Sequence, residues 1–143
     1  MAETFEVQVE GGVAHLVLNR PDQFNSMNEA FWGEIPDFFE EVNERPDIRV
    51  VVVSAEGRHF TAGLDLAWAG GTLGNRHADA GRAREKFLRH IRWMQRTFTA
   101  VDQCRVPVIA AIQGGCIGGG VDFVTACDMR LGTADCFFTI HEV

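Results

Sequence analysis

The sequence predicts an α/β fold, and three observations carry that prediction. Two almost uninterrupted apolar runs, Ile48 to Ser54 (IRVVVVS) and Pro107 to Ile112 (PVIAAI), have the length and composition of buried strands. Around them, apolar residues recur at helical spacing. Each buried run is followed by a glycine-containing loop, where ligands usually sit in an open α/β layer.

The elements follow in order. Residues 5–9 (FEVQV) and 13–18 (VAHLVL) are strand-like runs split by Glu10-Gly11-Gly12, a hairpin with a glycine turn. Ser26-Met27-Asn28-Glu29 has the pattern of a capping box, in which Ser26 and Glu29 satisfy free backbone donors reciprocally. Behind it Phe31, Ile35, Phe38 and Val42 mark a helix face. Pro36 removes one hydrogen bond there and should bend the helix. Residues 48–54 then suit a strand covered on both faces. The stretch 69–81 is rich in Gly and Ala and lacks periodicity, which predicts a mobile loop. From 84 to 104 the helical period returns, with Phe87, Ile91, Met94, Phe98 and Val101 on one face. A strand over 107–112 runs into the glycine loop 114–120, then a short helix (121–127) and a last strand pair, 128–132 with 136–140.

The bulk properties narrow the function. A chain of 143 residues suffices for one small domain with a real core. A net charge of −7 argues against a general nucleic-acid or anionic-membrane surface. The acidic start MAETFEVQVEGG is not a signal peptide, and no apolar stretch approaches the roughly 18 residues of a membrane span. Cys104, Cys116, Cys127 and Cys136 show neither C-x-x-C nor zinc-ligand spacing, as expected of reduced thiols in a cytoplasmic protein. There is no linker, internal repeat or low-complexity segment.

The chemistry lies in the two glycine-containing loops, Phe60 to Leu66 and Gly114 to Gly120. Glycine permits positive φ and close approach of a ligand to the backbone. The second loop also opens a helix, whose first N–H groups are unpaired and partially positive. Together they make an anion receptor. A phosphate loop would need G-x-x-x-x-G-K-[ST], which is absent. A dinucleotide fingerprint would need glycines at n, n+2 and n+5, and no register supplies them, although the acid Glu142 lies about twenty residues on. A developing oxyanion held by two backbone N–H groups remains. The alternative is that these glycines serve only strand–helix packing. Likewise Asp122 reads either as a catalytic acid or as a helix-start charge, and Glu142 as a catalytic acid or a solvated strand end.

Three segments then resemble the crotonase (enoyl-CoA hydratase/isomerase) superfamily: Leu18 to Asn25 (LNRPDQFN), Arg58 to Leu66 (RHFTAGLDL) and Pro107 to Asp122 (PVIAAIQGGCIGGGVD). They occur in the family's order and spacing, over essentially the whole chain. Residues 116–130 and 136–143 look most like the dienoyl-CoA isomerases, which move a 3,5-diene into the 2,4 position in fatty acid β-oxidation. The resemblance implies a crotonase-like fold of repeated ββα units, of which residues 1–143 are the N-terminal core, without the C-terminal helical part. It implies that Leu64 and Gly119 donate two N–H groups to a thioester oxygen. It places Phe24, Ala62, Gly63, Asp65, Leu66 and Gly120 along the acyl-coenzyme A. It makes Asp122 and Glu142 the active-site carboxylates, twenty residues apart. In hydratases both positions are glutamates; Asp122 departs from that pattern and agrees with dienoyl isomerases. A further acid in those isomerases lies eight positions after the match to Glu142, beyond Val143.

No metal or redox cofactor is implied, since the coenzyme A belongs to the substrate. The family assembles as trimers or hexamers, so a homo-oligomer is expected of a full-length protein, and a chain without the C-terminal helices should be weakly stable or associate. Rival readings are hydration across C2=C3, with Asp122 and Glu142 sharing a water, and a non-catalytic acyl-CoA-binding module. Two weaker signals accompany the site. Arg76, Arg82, Arg84, Lys86, Arg89, Arg92 and Arg96 cluster where they could steer coenzyme A phosphates or simply form a solvated face. His59 and His141 flank the key segments and read as neighbours rather than catalysts. The site geometry expected is therefore two carboxylates within about 10 Å facing one cavity, beside free N–H groups of Leu64 and Gly119.

Overall fold

A computed structural model describes residues 2–73 and 79–141. Strands β1 (Phe5–Glu10) and β2 (Val13–Leu18) form the expected antiparallel hairpin, with Phe5 opposite Leu18 and Glu10 opposite Val13. Gly11 and Gly12 turn it at φ 57° and 84°, values a side chain would disfavour. Helix α1 (Glu29–Glu44) buries Phe31, Ile35, Phe38 and Val42 as the periodicity requires. Its cap differs from expectation: the Asn28 carboxamide, not Ser26, accepts from the Phe31 N–H at 3.1 Å. Ser26 instead donates its hydroxyl to Asp65, across thirty-nine residues of chain. A long-range polar partner outcompeted the local box.

Pro36 lies inside α1 and cannot donate to the carbonyl of Trp32 four residues before it. That carbonyl accepts the hydroxyl of Thr97 instead, at 3.2 Å, and Thr97 is fully buried. The helix therefore runs on through the proline, with its orphaned acceptor satisfied from a neighbouring helix.

After α1 come β3 (Val50–Ala55), α2 (Leu66–Leu73), α3 (Ala80–Asp102), β4 (Val108–Ile112), β5 (Gly115–Ile117), α4 (Gly119–Ala126), β6 (Met129–Gly132) and β7 (Phe137–Thr139). The main sheet has the order β1-β2-β3-β4-β6, parallel from β2 onward. A second sheet pairs β5 with β7, also parallel. Two expectations change here. The last two strands are not a pair: β6 joins β4 and β7 joins β5, so consecutive strands separate into two sheets. The second glycine loop also contains a strand, because Gly115 to Ile117 find backbone partners in β7.

The core explains the rest. Leu16, Leu18, Val51, Val53, Val108, Ala110 and Ile112 fill one face of the main sheet and pack with α1 and α4 through Ile35, Phe39 and Phe123. The opposite face of β3 is only half-buried, so this strand is covered on one side by the described residues rather than on both. On that face His15 Nε2 and Ser54 Oγ share a hydrogen bond of 2.8 Å. The predicted loop over 69–81 is partly helix: α2 extends to Leu73, and Asp79 caps α3 by accepting from Gly81 and Arg82. Residues 74–78 lie outside the described residues. The stripe on α3 is buried only at its C-terminal end, where Thr97 and Val101 pack, whereas Phe87 is 46% exposed. Its amphipathicity thus exceeds what the described residues cover.

Candidate active site

The first loop is built on two buried residues, Phe60 and Thr61. The Thr61 hydroxyl donates to the Asn25 carbonyl at 2.7 Å and accepts from the Gly63 N–H at 3.1 Å. The Thr61 N–H donates to Gly115 O and the Ile117 N–H to Thr61 O, which ties this loop to the second one. Gly63 has φ 81°, and a Cβ there would come within 2.5 Å of the Ile117 carbonyl oxygen and 3.4 Å of the Gly119 nitrogen. Only glycine lets the two loops approach this closely.

Leu64 is held between two cross-chain bonds. Met27 N–H donates to Gly63 O at 2.8 Å, and Asp65 N–H donates to Met27 O at 3.1 Å. In such a parallel bridge the central residue presents its own N–H to the far side. Among the described residues, the Leu64 N–H meets no backbone acceptor. The same holds for Gly119, the first residue of α4, whose N–H precedes the helical ladder. Gly118, at φ 51°, makes the sharp entry and anchors its own N–H on Thr139 O at 2.9 Å.

Leu64 and Gly119 border one cavity of about 300 Å³, lined also by Trp32, Ile91, Met94, Gln95, Phe98 and Asp122. Asp122, in the first turn of α4, brings the only carboxylate among the lining residues. The walls are otherwise largely apolar, as is usual for sites that take a small-molecule ligand. A larger groove of about 940 Å³ runs between β1 and α1, but it carries Glu6, Glu34, Asp37 and Glu41 and would repel an anion. The smaller cavity is the one that brings Leu64, Gly119 and a carboxylate together.

The remaining residues singled out from the sequence take different places. Glu142 lies outside the described residues. Asp65 is occupied structurally: its carboxylate caps α2 through Ala67 N–H and Trp68 N–H, each at 3.1 Å, accepts from Ser26 and lies 3.8 Å from Arg20. The Trp68 N–H leads in holding this carboxyl below the ordinary value of 3.8, ahead of the Ser26, Ala67 and Arg20 contributions and against partial burial. Gly120 is buried, and a Cβ there would meet Thr61 Cγ2 at 2.4 Å, so the close packing of the two loops needs glycine at this position. Ala62 spends its N–H on Phe24 O at 2.9 Å. Phe24 sits at φ 51° with 54% of its surface exposed, its ring 5.8 Å from His59. Leu66 is 79% exposed at the start of α2. His59 accepts the Gly115 N–H on Nδ1 at 2.9 Å and braces the second loop. On α3, Arg82, Arg89 and Arg96 pair with Asp79, Glu85 and Glu40, while Arg76 lies outside the described residues. Cys116 and Cys127 are buried, and burial pushes both thiols up to about 12, so they pack as apolar groups.

Sequence reasoning missed Trp32, Ile91, Met94, Gln95 and Phe98 as lining residues. Met94 and Phe98 were read correctly as an apolar helix face, but the same stripe serves a core and a cavity wall equally well.

Both the fold and the sequence pattern recur in known proteins. Residues 8–143 match the family model described as enoyl-CoA hydratase/isomerase. The chain is 42% identical over 143 residues to the peroxisomal Delta(3,5)-Delta(2,4)-dienoyl-CoA isomerase of Arabidopsis thaliana, covering 99% of this chain and 51% of that protein. It is 48% identical over 132 residues to the mitochondrial Delta(3,5)-Delta(2,4)-dienoyl-CoA isomerase of Mus musculus, covering 92% and 40%. Among solved structures, an enoyl-CoA hydratase/carnithine racemase from Magnetospirillum magneticum superposes with a TM-score of 0.80 at 32% identity, over 96% of this chain and 49% of that one. The chain spans about half the length of the curated relatives it matches. Those relatives are named peroxisomal or mitochondrial and lend no support to the cytoplasmic compartment expected from the sequence. No helix among the described residues is long and apolar enough to cross a membrane. On the match of its sequence from residue 8 to residue 143, the chain belongs to the enoyl-CoA hydratase/isomerase family.

Proposed function

We propose that this chain carries the acyl-CoA site of an enolate-stabilising enzyme whose reaction is the isomerisation of a 3,5-dienoyl-CoA to the 2,4-dienoyl-CoA. The observation that carries the reading is that Leu64 and Gly119, whose N–H groups meet no backbone acceptor among the described residues, line one cavity with Asp122. A thioester carbonyl oxygen placed between the two donors becomes an oxyanion only when a proton leaves C2. Donors fixed in advance therefore stabilise the dienolate more than the ground state, which accelerates the step. The electron pair released from C2–H spreads through the conjugated chain, and protonation at C6 leaves the double bonds at C2 and C4. Asp122 and Glu142 are the carboxylates proposed to handle these protons. The coenzyme A stays with the substrate throughout, held along Phe24 and the Ala62 to Leu66 loop. The relatives named as dienoyl-CoA isomerases, and Asp rather than Glu at position 122, favour isomerisation over hydration.

The test uses the 143-residue chain with a 3,5-dienoyl-CoA in deuterated water, following label at C2 and C6 and formation of the conjugated product. Leu64→Pro removes the donor and should slow label uptake about 10²–10³-fold, while Leu64→Ala, which keeps the backbone N–H, should be mild. A folded Leu64→Pro variant with near-parental exchange would defeat the oxyanion reading. Addition of water at C3 of a 2-enoyl-CoA, with no label entering C6 of the 3,5-dienoyl-CoA, would point to hydration.

A further inference from the structure

Trp32 reaches both proposed donors at once. Its indole Nε1–H donates to the Met27 carbonyl at 3.3 Å, in a buried contact. That carbonyl also accepts the Asp65 N–H, while the Met27 N–H donates to Gly63 O. The two backbone bonds straddle Leu64 and set the direction of its free N–H. On the other side, the rim of the Trp32 ring and the Met27 thioether lie under Gly119. A Cβ placed on Gly119 would meet Met27 Sδ at 3.2 Å and Trp32 Cη2 at 3.8 Å. The indole is itself locked: it packs edge-on against Phe31 at 5.4 Å and Phe98 at 5.6 Å, and its carbonyl is pinned by Thr97. Only 2% of the residue is exposed.

We infer that Trp32 is a positioning residue, fixing the Leu64 donor through the Met27 carbonyl and the Gly119 donor through ring contact beneath the helix start. The inference rests on the oxyanion reading and deepens it. Preorganised donors accelerate a reaction only if their directions are set before charge develops, and a side chain locked at both ends can set them. Trp32 touches no reacting atom in this scheme. It acts through Met27 and Gly119.

Two measurements on the isotope-labelled 143-residue chain test this. The first is amide hydrogen exchange in the parental chain, in Trp32→Phe, and in a semisynthetic chain with Trp32 replaced by 3-benzothienylalanine, which keeps the bicyclic shape and deletes only the N–H. Exchange at Met27 and Asp65 should quicken roughly tenfold in both variants, with Leu16 and Val53 in the main sheet unchanged. The second is the carbonyl ¹³C resonance of bound hexanoyl-CoA labelled at C1. It should move downfield in the parental chain and move back toward the free position in both variants. A purely structural tryptophan would leave that resonance alone. Unchanged Met27 and Asp65 exchange in both variants overturns the positioning role while leaving the oxyanion reading intact. A parental chain that does not move the carbonyl resonance overturns the oxyanion reading, and with it the purpose assigned to Trp32.

Discussion

Replacing Thr97 with valine should show how a helix tolerates a proline in its middle. The change is nearly isosteric and deletes the hydroxyl that donates to the Trp32 carbonyl. Pro36 cannot take its place, and both Thr97 and Trp32 are buried, so the carbonyl is left without a partner. An unpaired buried acceptor costs about 1–3 kcal/mol. In a domain of this size that corresponds to a melting shift of roughly 3–10 °C. Pro36→Ala restores the N–H that normally reaches the carbonyl four residues earlier. In that background Thr97→Val should cost no more than about 0.5 kcal/mol, the low end of a net hydrogen bond. The four proteins form a double-mutant cycle, read by urea unfolding with far-ultraviolet circular dichroism. The coupling should be about 1–2 kcal/mol, with the second substitution partly rescuing the first. If Thr97→Val costs the same in the parental chain as in the Pro36→Ala background, the hydroxyl does not compensate for the proline and the account of α1 is wrong.

Three further outcomes follow from the described contacts. Asp65→Asn should cost about 0.5–2 kcal/mol at neutral pH by weakening the cap of α2; because the fold lowers the Asp65 value below 3.8, the parental advantage is present above that value and is lost as pH falls through the folded one, so urea midpoints of the two chains should draw together as the medium is acidified below 3.8. Gly120→Ala should destabilise by about 1–3 kcal/mol, since its Cβ would sit 2.4 Å from Thr61 Cγ2, and an unchanged unfolding midpoint would refute the packing requirement. Sedimentation should show concentration-dependent association, because Met129, Leu131, Phe138 and Ile140 are 50–76% exposed on and beside the last two strands; a strictly monomeric chain over a wide concentration range would contradict this.

Periodicity made α1, β3 and β4 legible, because each buries a face whose spacing is written in consecutive residues, while the hairpin was legible from its glycine turn and α3 from an amphipathic stripe that is buried only at its end. What stayed illegible depends on partners distant in the chain. Nothing local says that Phe137 to Thr139 pairs with Gly115 to Ile117 while Met129 to Gly132 goes to the main sheet. Ser26 looked like a cap because its natural competitor, Asp65, is thirty-nine residues away. Asp65 and Gly120 were identified by their motifs, and nothing local says that one also caps a helix and the other packs against Thr61. Leu64 and Gly119 were identified by motif resemblance; glycine loops alone left packing equally open.

The positions that break local rules are tied by hydrogen bonds to residues that line the cavity or flank its donors. Pro36 sits one turn beyond Trp32 inside α1, and Phe24 and Asn25 adopt left-handed backbone at φ 51° and 52° without being glycine. Each violation has a specific compensation. Thr97 supplies the donor that Pro36 lacks. Around the corner, the Asn25 side chain accepts from the Arg20 N–H and donates to Glu56 O and His59 O, and the Asn25 carbonyl accepts the Thr61 hydroxyl. Left-handed non-glycine residues cost of order 1–3 kcal/mol each and persist only where surrounding contacts over-determine them. Here those contacts lead from the corner to Thr61, from Thr61 to Gly63, and from Gly63 through Met27 to Trp32. The strained corner and the proline are therefore attached to one network, and the free N–H groups of Leu64 and Gly119 lie along it. Local order is given up where the backbone must hold two donors out of its own hydrogen-bond ladder.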